Sequence, residues 1–231
     1  MKTVPWTKAE VHEALAALYL RLNGYFTTGL IQHSPEWGLN RAEVDCLAIR
    51  HRDHSQPERG VESSEFLAIR KGEVDLIICE TKSNPQNITF NEPLRTDSEV
   101  IRALLRWAGV FREEKIESVA NRLQPLFKPG AALEAVRNGV VESGCRVRPL
   151  LCCPPGSEGD CANLWCLVRP ELFNFINQCF NPPLKRENSS TRYNFKLWGY
   201  ALAPLVTYFK EDAKSGRTPD LAGLYVHLGV A

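Results

Sequence analysis

The sequence has no excess of charge of either sign and no long apolar run. Its 231 residues include 28 Lys and Arg against 27 Asp and Glu, a formal net charge of +1. This balance excludes a global field that would attract nucleic acid or an anionic membrane, so any charge-based binding must come from a local patch. The apolar runs fall far short of the roughly 20 residues that span a bilayer. Because the first residues show no signal-peptide pattern, we expect a cytoplasmic protein with no membrane association.

The eight cysteines also lack a familiar pattern. Zinc sites favour paired ligands such as Cys-x₂-Cys, and these cysteines follow one another at irregular gaps. Cys46 and Cys79 lie inside apolar, strand-like runs, where a thiol usually serves as a small hydrophobic group. We therefore expect reduced, buried thiols. The alternative is zinc binding by Cys145, Cys152, Cys153, Cys161 and Cys166.

The order of helical and strand-like patterns predicts an α/β domain. Helices are predicted over 9–23 with Thr7 as the cap, 97–111 with Asp97 as the cap, 115–127, 131–141, 171–180 and 194–210, the last interrupted by Pro204. Strands are predicted over 25–33, 43–50, 66–70, 73–82, 146–153 and 164–168. Consecutive strands without an intervening helix are normally antiparallel, so the sheet should be mixed. We expect one domain over 1–231, with a core over 8–155 and an α-rich C-terminal extension over 156–231 of unknown role.

Two of the predicted strands carry charged residues inside apolar runs. Asp45 lies between Val44 and Cys46, while Glu80 and Lys82 end the longest strand and share one face because they are two positions apart. A carboxylate in such a place needs a cation, a metal or several hydrogen bonds. If the strands are neighbours, a divalent cation between Asp45 and Glu80 would offset their repulsion. Mg²⁺ prefers oxygen ligands and suits phosphodiester cleavage, with Lys82 positioning the water.

In this order the residues resemble the PD-(D/E)xK nuclease superfamily, which includes many restriction endonucleases and archaeal Holliday-junction resolvases. The motif reads Val44-Asp45 and then Glu80-Thr81-Lys82, with a helix on each side. The proline before the aspartate is missing, which is a common departure in the superfamily. The resemblance covers about residues 8–154 and implies a restriction-endonuclease-like mixed central sheet flanked by helices.

The resemblance also implies the roles of the site residues. Asp45 and Glu80 would be metal ligands for Mg²⁺, with Mn²⁺ as a substitute, and Lys82 would be catalytic. Many members place a further glutamate on the first helix, where it supports the metal directly or through water. Glu13 is the candidate for that auxiliary catalytic and metal-binding role, and Glu10 is the fallback.

Several other polar residues lie near these strands. Glu43 is two positions before Asp45 and could join the metal shell. Asp75 and Glu73, at the start of the longest strand, are expected to be solvated end residues. We expect surface or structural roles for Gln32 and His33 on the first strand.

Two basic clusters could contact nucleic acid. Arg102 and Arg106 lie one turn apart on the helix after the site, with Arg112 and Lys115 beyond it, and could hold phosphates; the alternative is a solvated helix face. The second cluster, where aromatic rings could stack on bases or contact a partner protein, contains Lys185, Arg186, Arg192, Tyr193, Phe195, Lys196 and Trp198.

The sequence therefore predicts a Mg²⁺-dependent endonuclease-type phosphodiesterase that acts on nucleic acid, DNA rather than RNA. One alternative is a nuclease-like fold that binds nucleic acid or protein without catalysis. Another is a metal-dependent phosphohydrolase of nucleotides. A homodimer, or a protein partner bound through the C-terminal extension, is compatible with each reading.

Overall fold

A mixed β-sheet organises the computed structural model, which describes residues 6–33, 40–56, 60–182 and 198–230. The strands are β1 (Phe26–His33), β2 (Asn40–Arg50), β3 (Val74–Thr81), β4 (Val140–Glu142), β5 (Cys145–Cys153) and β6 (Cys166–Val168). Their order is β1-β2-β3-β5-β4, with β6 also paired to β5. β1, β2 and β3 form an antiparallel meander, while β3, β5 and β6 run parallel. The prediction of a mixed sheet flanked by helices is confirmed.

Helices cover both faces of the sheet. They are α1 (Lys8–Leu22), α2 (Glu92–Thr96), α3 (Ser98–Ala108), α4 (Glu113–Leu123), α5 (Leu133–Asn138), α6 (Arg169–Phe180), α7 (Ala203–Ser215) and α8 (Leu221–Leu228). One apolar core contains α1, α6, α7 and α8, and the other contains α2, α3 and α4. β3 lies between them, with Ile77 and Cys79 in the first core and Leu76 and Ile78 in the second. Burial on both faces explains its continuous apolar run.

A capping box starts α1. The Thr7 side chain accepts a hydrogen bond from the backbone N–H of Glu10, and the Glu10 carboxylate accepts one from the Thr7 backbone N–H at 2.7 Å. This confirms Thr7 as the cap. It also gives Glu10, the fallback for the auxiliary glutamate, a structural role at the helix start.

Two predicted elements are wrong in type or extent. The strand predicted over 66–70 is a 3₁₀ turn, Glu65–Leu67, which ends at Ala68 in the left-handed region with φ of 44°. The helix predicted over 131–141 stops at Asn138, and β4 follows Gly139. A Cβ atom at Gly139 would lie 2.3 Å from the carbonyl oxygen of Val147, so the chain turns there with its glycine against β5.

The C-terminal helices also differ from their prediction. Of the helix predicted over 194–210, residues 194–197 lie outside the described residues, and α7 begins at Ala203. Pro204 lies in its first turn, where a missing N–H costs no hydrogen bond, rather than in its interior. The short helices α2 and α8 were not predicted. In the described part of the chain, no helix is both long enough and apolar enough to cross a membrane.

The prediction that Asp75 is a solvated end residue is wrong. Asp75 is buried, and its carboxylate accepts hydrogen bonds from Tyr25 Oη at 2.7 Å, Arg146 Nη2 at 2.9 Å and Arg148 Nε at 3.1 Å. Both arginines are also buried. Glu73 is only partly solvated, and its Oε2 lies 3.8 Å from Arg146 Nε. This cluster ties β3 to β5 at the end of β3 opposite Glu80, because Asp75 is in register with Arg146.

Candidate active site

β2 and β3 separate at the two predicted metal ligands. Their backbone pairing runs from Arg50 and Asp75 to Cys46 and Cys79 and then stops. Beyond that point β3 bonds to a side chain of β2 instead of to its backbone. The Oδ2 atom of Asp45 accepts a hydrogen bond from the Thr81 backbone N–H at 2.7 Å. The prediction that the two strands are neighbours is confirmed. The Asp45 carboxylate therefore lies against the peptide group that joins Glu80 to Thr81.

A β-bulge in β2 sets the direction of Asp45. Thr28 of β1 is in register with Leu47, and Leu30 is in register with Val44, so Gly29 alone lies opposite Asp45 and Cys46. Such a bulge turns two consecutive side chains toward one face of a sheet. Cys46 accordingly joins the core that contains α1, and Asp45 lines the cleft beside α1.

Glu80 and Lys82 are held by a third residue that the sequence reading missed. Lys82 Nζ donates to Glu80 Oε1 and to Asn91 Oδ1, both at 2.8 Å, and the Asn91 backbone N–H donates to Glu80 Oε2 at 3.2 Å. Asn91 occupies the N-cap of α2 but makes no side-chain cap bond. Its side chain holds Lys82 instead. The available signal was an Asn-Glu-Pro sequence, which is typical of a helix start.

The carboxylates around Asp45 disfavour one another's charge. Burial, followed by the charges of Asp45, Glu43 and Glu10, raises the pKa of Glu13 to about 7. Burial raises the pKa of Asp45, and the Thr81 N–H and Lys82 partly offset this effect. Burial raises the pKa of Glu80 as well, and Lys82 again opposes it. The charge of Asp45 thus acts on Glu13, with which it lines one cleft, and on Glu80, whose carboxylate is hydrogen-bonded at the start of α2.

Replacing Glu13 with Gln is expected to stabilise the metal-free protein at pH 8 and not at pH 5. The raised pKa of Glu13 means that the folded state binds an extra proton between about pH 4.5 and 7, so the stability of the wild type falls as pH rises through this window. For a half-buried group we expect a gain of about 1 to 2 kcal/mol at pH 8, after allowance for solvent screening. Thermal unfolding in EDTA across pH 5 to 8.5 measures it.

The exposed Glu114 provides the control for this prediction. Glu114→Gln should shift the melting temperature equally at both pH values, because that side chain is solvated beside Arg112. A Glu13→Gln difference that is constant with pH, or a loss of stability at pH 8, would contradict the raised pKa.

The donor chemistry of the site fits Mg²⁺. The described residues contain no group of three or more His, Cys, Asp and Glu side chains gathered for a metal ion. A protein nevertheless often binds Mg²⁺ through only one or two carboxylates, because the ion keeps several waters and takes its other ligands from phosphate oxygens of the substrate. Asp45 uses only Oδ2 in its hydrogen bond to Thr81. Asp45 and Glu80 would hold the ion, and Glu13 stays a predicted ligand, directly or through water.

The cysteines are free thiols, and all but Cys179 are buried. Burial raises the pKa of Cys46 to about 12, and it raises the pKa of Cys152 well above its usual value. The seven buried thiols agree with the expected buried cysteines, and zinc binding by Cys152 and its neighbours stays the alternative.

A hydrogen-bonded chain behind the site links it to the C-terminal helices. His12 Nδ1 lies 2.8 Å from Ser83 Oγ, and its Nε2 is hydrogen-bonded to the Tyr225 hydroxyl of α8. Burial, together with the charge of Lys8, lowers the pKa of His12 to about 4, so the imidazole is neutral at physiological pH. His12 therefore links α8 to Ser83, the residue that follows Lys82. The helical spacing of His12 gave no sign of this role.

The two α3 arginines that were predicted to contact phosphate form ion pairs with glutamates. Arg102 pairs with Glu99 and Glu117, and Arg106 pairs with Glu113 at 2.7 Å. A phosphate would have to compete with these carboxylates, and the nucleic-acid role of the two arginines stays a prediction.

The other candidate polar residues lie outside this network or outside the described residues. Gln32 Nε2 donates to the Val100 carbonyl at 3.0 Å and so joins β1 to α3, in agreement with the structural role that was predicted. His33 ends β1. Lys185, Arg186, Arg192, Tyr193, Phe195 and Lys196 lie outside the described residues.

The backbones of β2 and β3 stop pairing after Cys46 and Cys79, and we call this point the fork. A cleft of about 880 Å³ opens beside it. Its walls include Glu13 of α1 and Asp45 of β2, so the cleft gives solvent and a ligand access to one side of the site.

Comparisons with models of protein families, with characterised proteins and with solved structures found no match to this chain.

Proposed function

We propose that this protein is a Mg²⁺-dependent nuclease that hydrolyses phosphodiester bonds, with DNA as the preferred substrate. The observation that carries the proposal is the hydrogen bond from the Thr81 N–H to Asp45, which puts the Asp45 carboxylate against the peptide group between Glu80 and Thr81. The resemblance of this acid and acid-x-lysine pattern to PD-(D/E)xK nucleases supports the same reading.

Each residue has a distinct part in the proposed reaction. A bound Mg²⁺ would offset phosphate charge and lower the pKa of water. Asp45 and Glu80 would hold the ion. Lys82 Nζ has three N–H donors, of which Glu80 and Asn91 take two, so the third can orient the attacking water or a phosphate oxygen. Glu13, which lines the cleft with Asp45, could accept a proton from the attacking water.

A cleavage assay on four substrates tests the proposal. Supercoiled plasmid, linear duplex, single-stranded DNA and RNA are incubated with the purified protein in Mg²⁺, in Mn²⁺ or in EDTA. We expect DNA cleavage with either metal and none in EDTA, and conversion of supercoiled plasmid to nicked or linear forms would identify an endonuclease. Intact substrates in both metals would refute the proposed activity.

One observation favours a second candidate, a binding module without catalysis. Both carboxylate oxygens of Glu80 already accept hydrogen bonds, one from Lys82 and one from Asn91. Such a site could persist without a metal. Calorimetry separates the two functions, because a nuclease should bind Mg²⁺ in a manner that Asp45→Asn weakens, whereas a binding module should show no such heat. Turnover of mononucleotides without polymer cleavage would instead identify the phosphohydrolase.

A further inference from the structure

The cleft beside the fork has an acidic end and an aromatic end. α1 forms one wall with Glu13 and Arg21, which are separated by about two helical turns, and β1 with Asp45 forms the other. Residues 198–202 also line the cleft, with Trp198 and Tyr200 among them. The acidic end contains Glu13 and Asp45 of the proposed catalytic site, so a ligand in the cleft would reach these two residues.

The aromatic end combines rings with a cation. The Arg21 guanidinium lies over the Trp198 ring at 4.6 Å from its centroid, and Nη1 donates to the Trp198 carbonyl at 3.2 Å. Among the described residues this is the one hydrogen bond of a guanidinium that has five N–H donors, so others can contact a phosphate. Tyr200 is 76% exposed, so its ring is accessible for stacking on a base. Exposed rings beside a cation are the elements with which proteins stack and neutralise single strands.

The size of the cleft selects between forms of nucleic acid. Its volume of about 880 Å³ is that of a small-molecule pocket and admits a few nucleotides at most. A duplex cannot enter such a space, whereas an unpaired strand or an extruded nucleotide can.

We infer that this cleft binds an unpaired strand of nucleic acid, stacked on Tyr200 and contacted by Arg21, and leads it to Asp45. The inference rests on the proposed function and specifies its substrate as an overhang, flap or loop. Arg21 and Glu13 are about 12 Å apart along α1 at about 1.5 Å per residue. At about 3.4 Å per nucleotide of a stacked strand, the unpaired segment needs about three to four nucleotides.

Fluorescence anisotropy in EDTA tests the inference without cleavage. The probes are a labelled single-stranded DNA of roughly 12 nucleotides and a blunt duplex of the same sequence. We expect the single strand to bind at least about tenfold more tightly than the duplex. Tyr200→Ala should weaken single-strand binding by about fivefold or more, and Tyr200→Phe, which keeps the ring, should stay within about twofold of the wild type. Arg21→Gln should weaken binding and reduce its salt dependence.

Trp107 provides the matched control. It is a 52% exposed aromatic residue on α3, in the other helical layer, so Trp107→Ala should leave binding within about twofold of the wild type. Equal binding of strand and duplex, or wild-type binding by Tyr200→Ala, would overturn the inference.

The two proposals fail in different ways. If cleavage depends on Asp45 and strand binding does not depend on Tyr200, the proposed nuclease activity stands and the proposed strand-binding cleft is refuted. If strand binding depends on Tyr200 but no cleavage occurs in Mg²⁺ or Mn²⁺, the strand-binding cleft stands and the proposed nuclease activity is refuted.

Discussion

Asp45→Asn and Lys82→Gln are each expected to lower the rate of Mg²⁺-dependent DNA cleavage by about 1,000-fold, with the fold retained. Asparagine keeps an oxygen that can accept the Thr81 N–H, so the fork survives while the negative charge for the metal is lost. Glutamine keeps an N–H donor for Glu80 and removes the cation. Losing a preorganised charge or donor at a developing negative charge typically costs about 10² to 10³ in rate, and a lost metal ligand adds to this.

The measurement is the initial rate of cleavage of plasmid and of single-stranded DNA, with circular dichroism to confirm folding. Lys71→Ala is the matched control for Lys82→Gln, because Lys71 is exposed in the turn before β3 and should leave the rate unchanged. Wild-type rates in either Asp45→Asn or Lys82→Gln would show that the fork is not the catalytic site.

Asp75→Ala is expected to lower the free energy of unfolding by about 3 to 5 kcal/mol, because it leaves the buried Arg148 without its counter-ion and the buried Arg146 with Glu73 alone, at 3.8 Å. Asp75 is the one carboxylate that accepts from both Arg146 and Arg148 within hydrogen-bonding distance among the described residues. Tyr25 would lose its hydroxyl partner at the same time. Urea unfolding followed by far-ultraviolet circular dichroism measures the change.

The control is an ion pair of similar chemistry on the surface. Glu113 pairs with Arg106, and both side chains are about half or more exposed, so Glu113→Ala should cost less than about 1 kcal/mol. Similar costs for Asp75→Ala and Glu113→Ala would mean that the buried cluster contributes no more than a surface pair.

Much of the fold could be predicted because its signals are local. β3 is a continuous apolar run, α1 has a capping box, and consecutive strands without a helix between them pair as neighbours. The same locality brought Asp45 against the peptide group between Glu80 and Thr81. Short elements were less predictable. The apolar spacing of 131–141 continues through Gly139, and only the close approach of β5 shows why the helix must end there.

The remaining parts of the site depend on register between distant segments. The bulge that directs Asp45 arises because Gly29 of β1 lies opposite two residues of β2, and the sequence alone does not reveal this register. Asn91 reaches Lys82 only because the segment after β3 folds back to start α2. Asp75 looked like a solvated strand end because its partner Arg146 lies 71 residues away and pairs with it through the parallel register of β3 and β5.

That long separation bears on when the site forms during folding. α1, β1, β2 and β3 are synthesised first, and the local hairpins can pair early, whereas contacts distant in sequence form slowly. Lys82 is anchored by its backbone N–H to the carbonyl of Cys152, and Thr81 pairs with the same residue. A nascent chain that ends before β5 would therefore contain the whole acid and acid-x-lysine motif without the rigid strand end that aligns it.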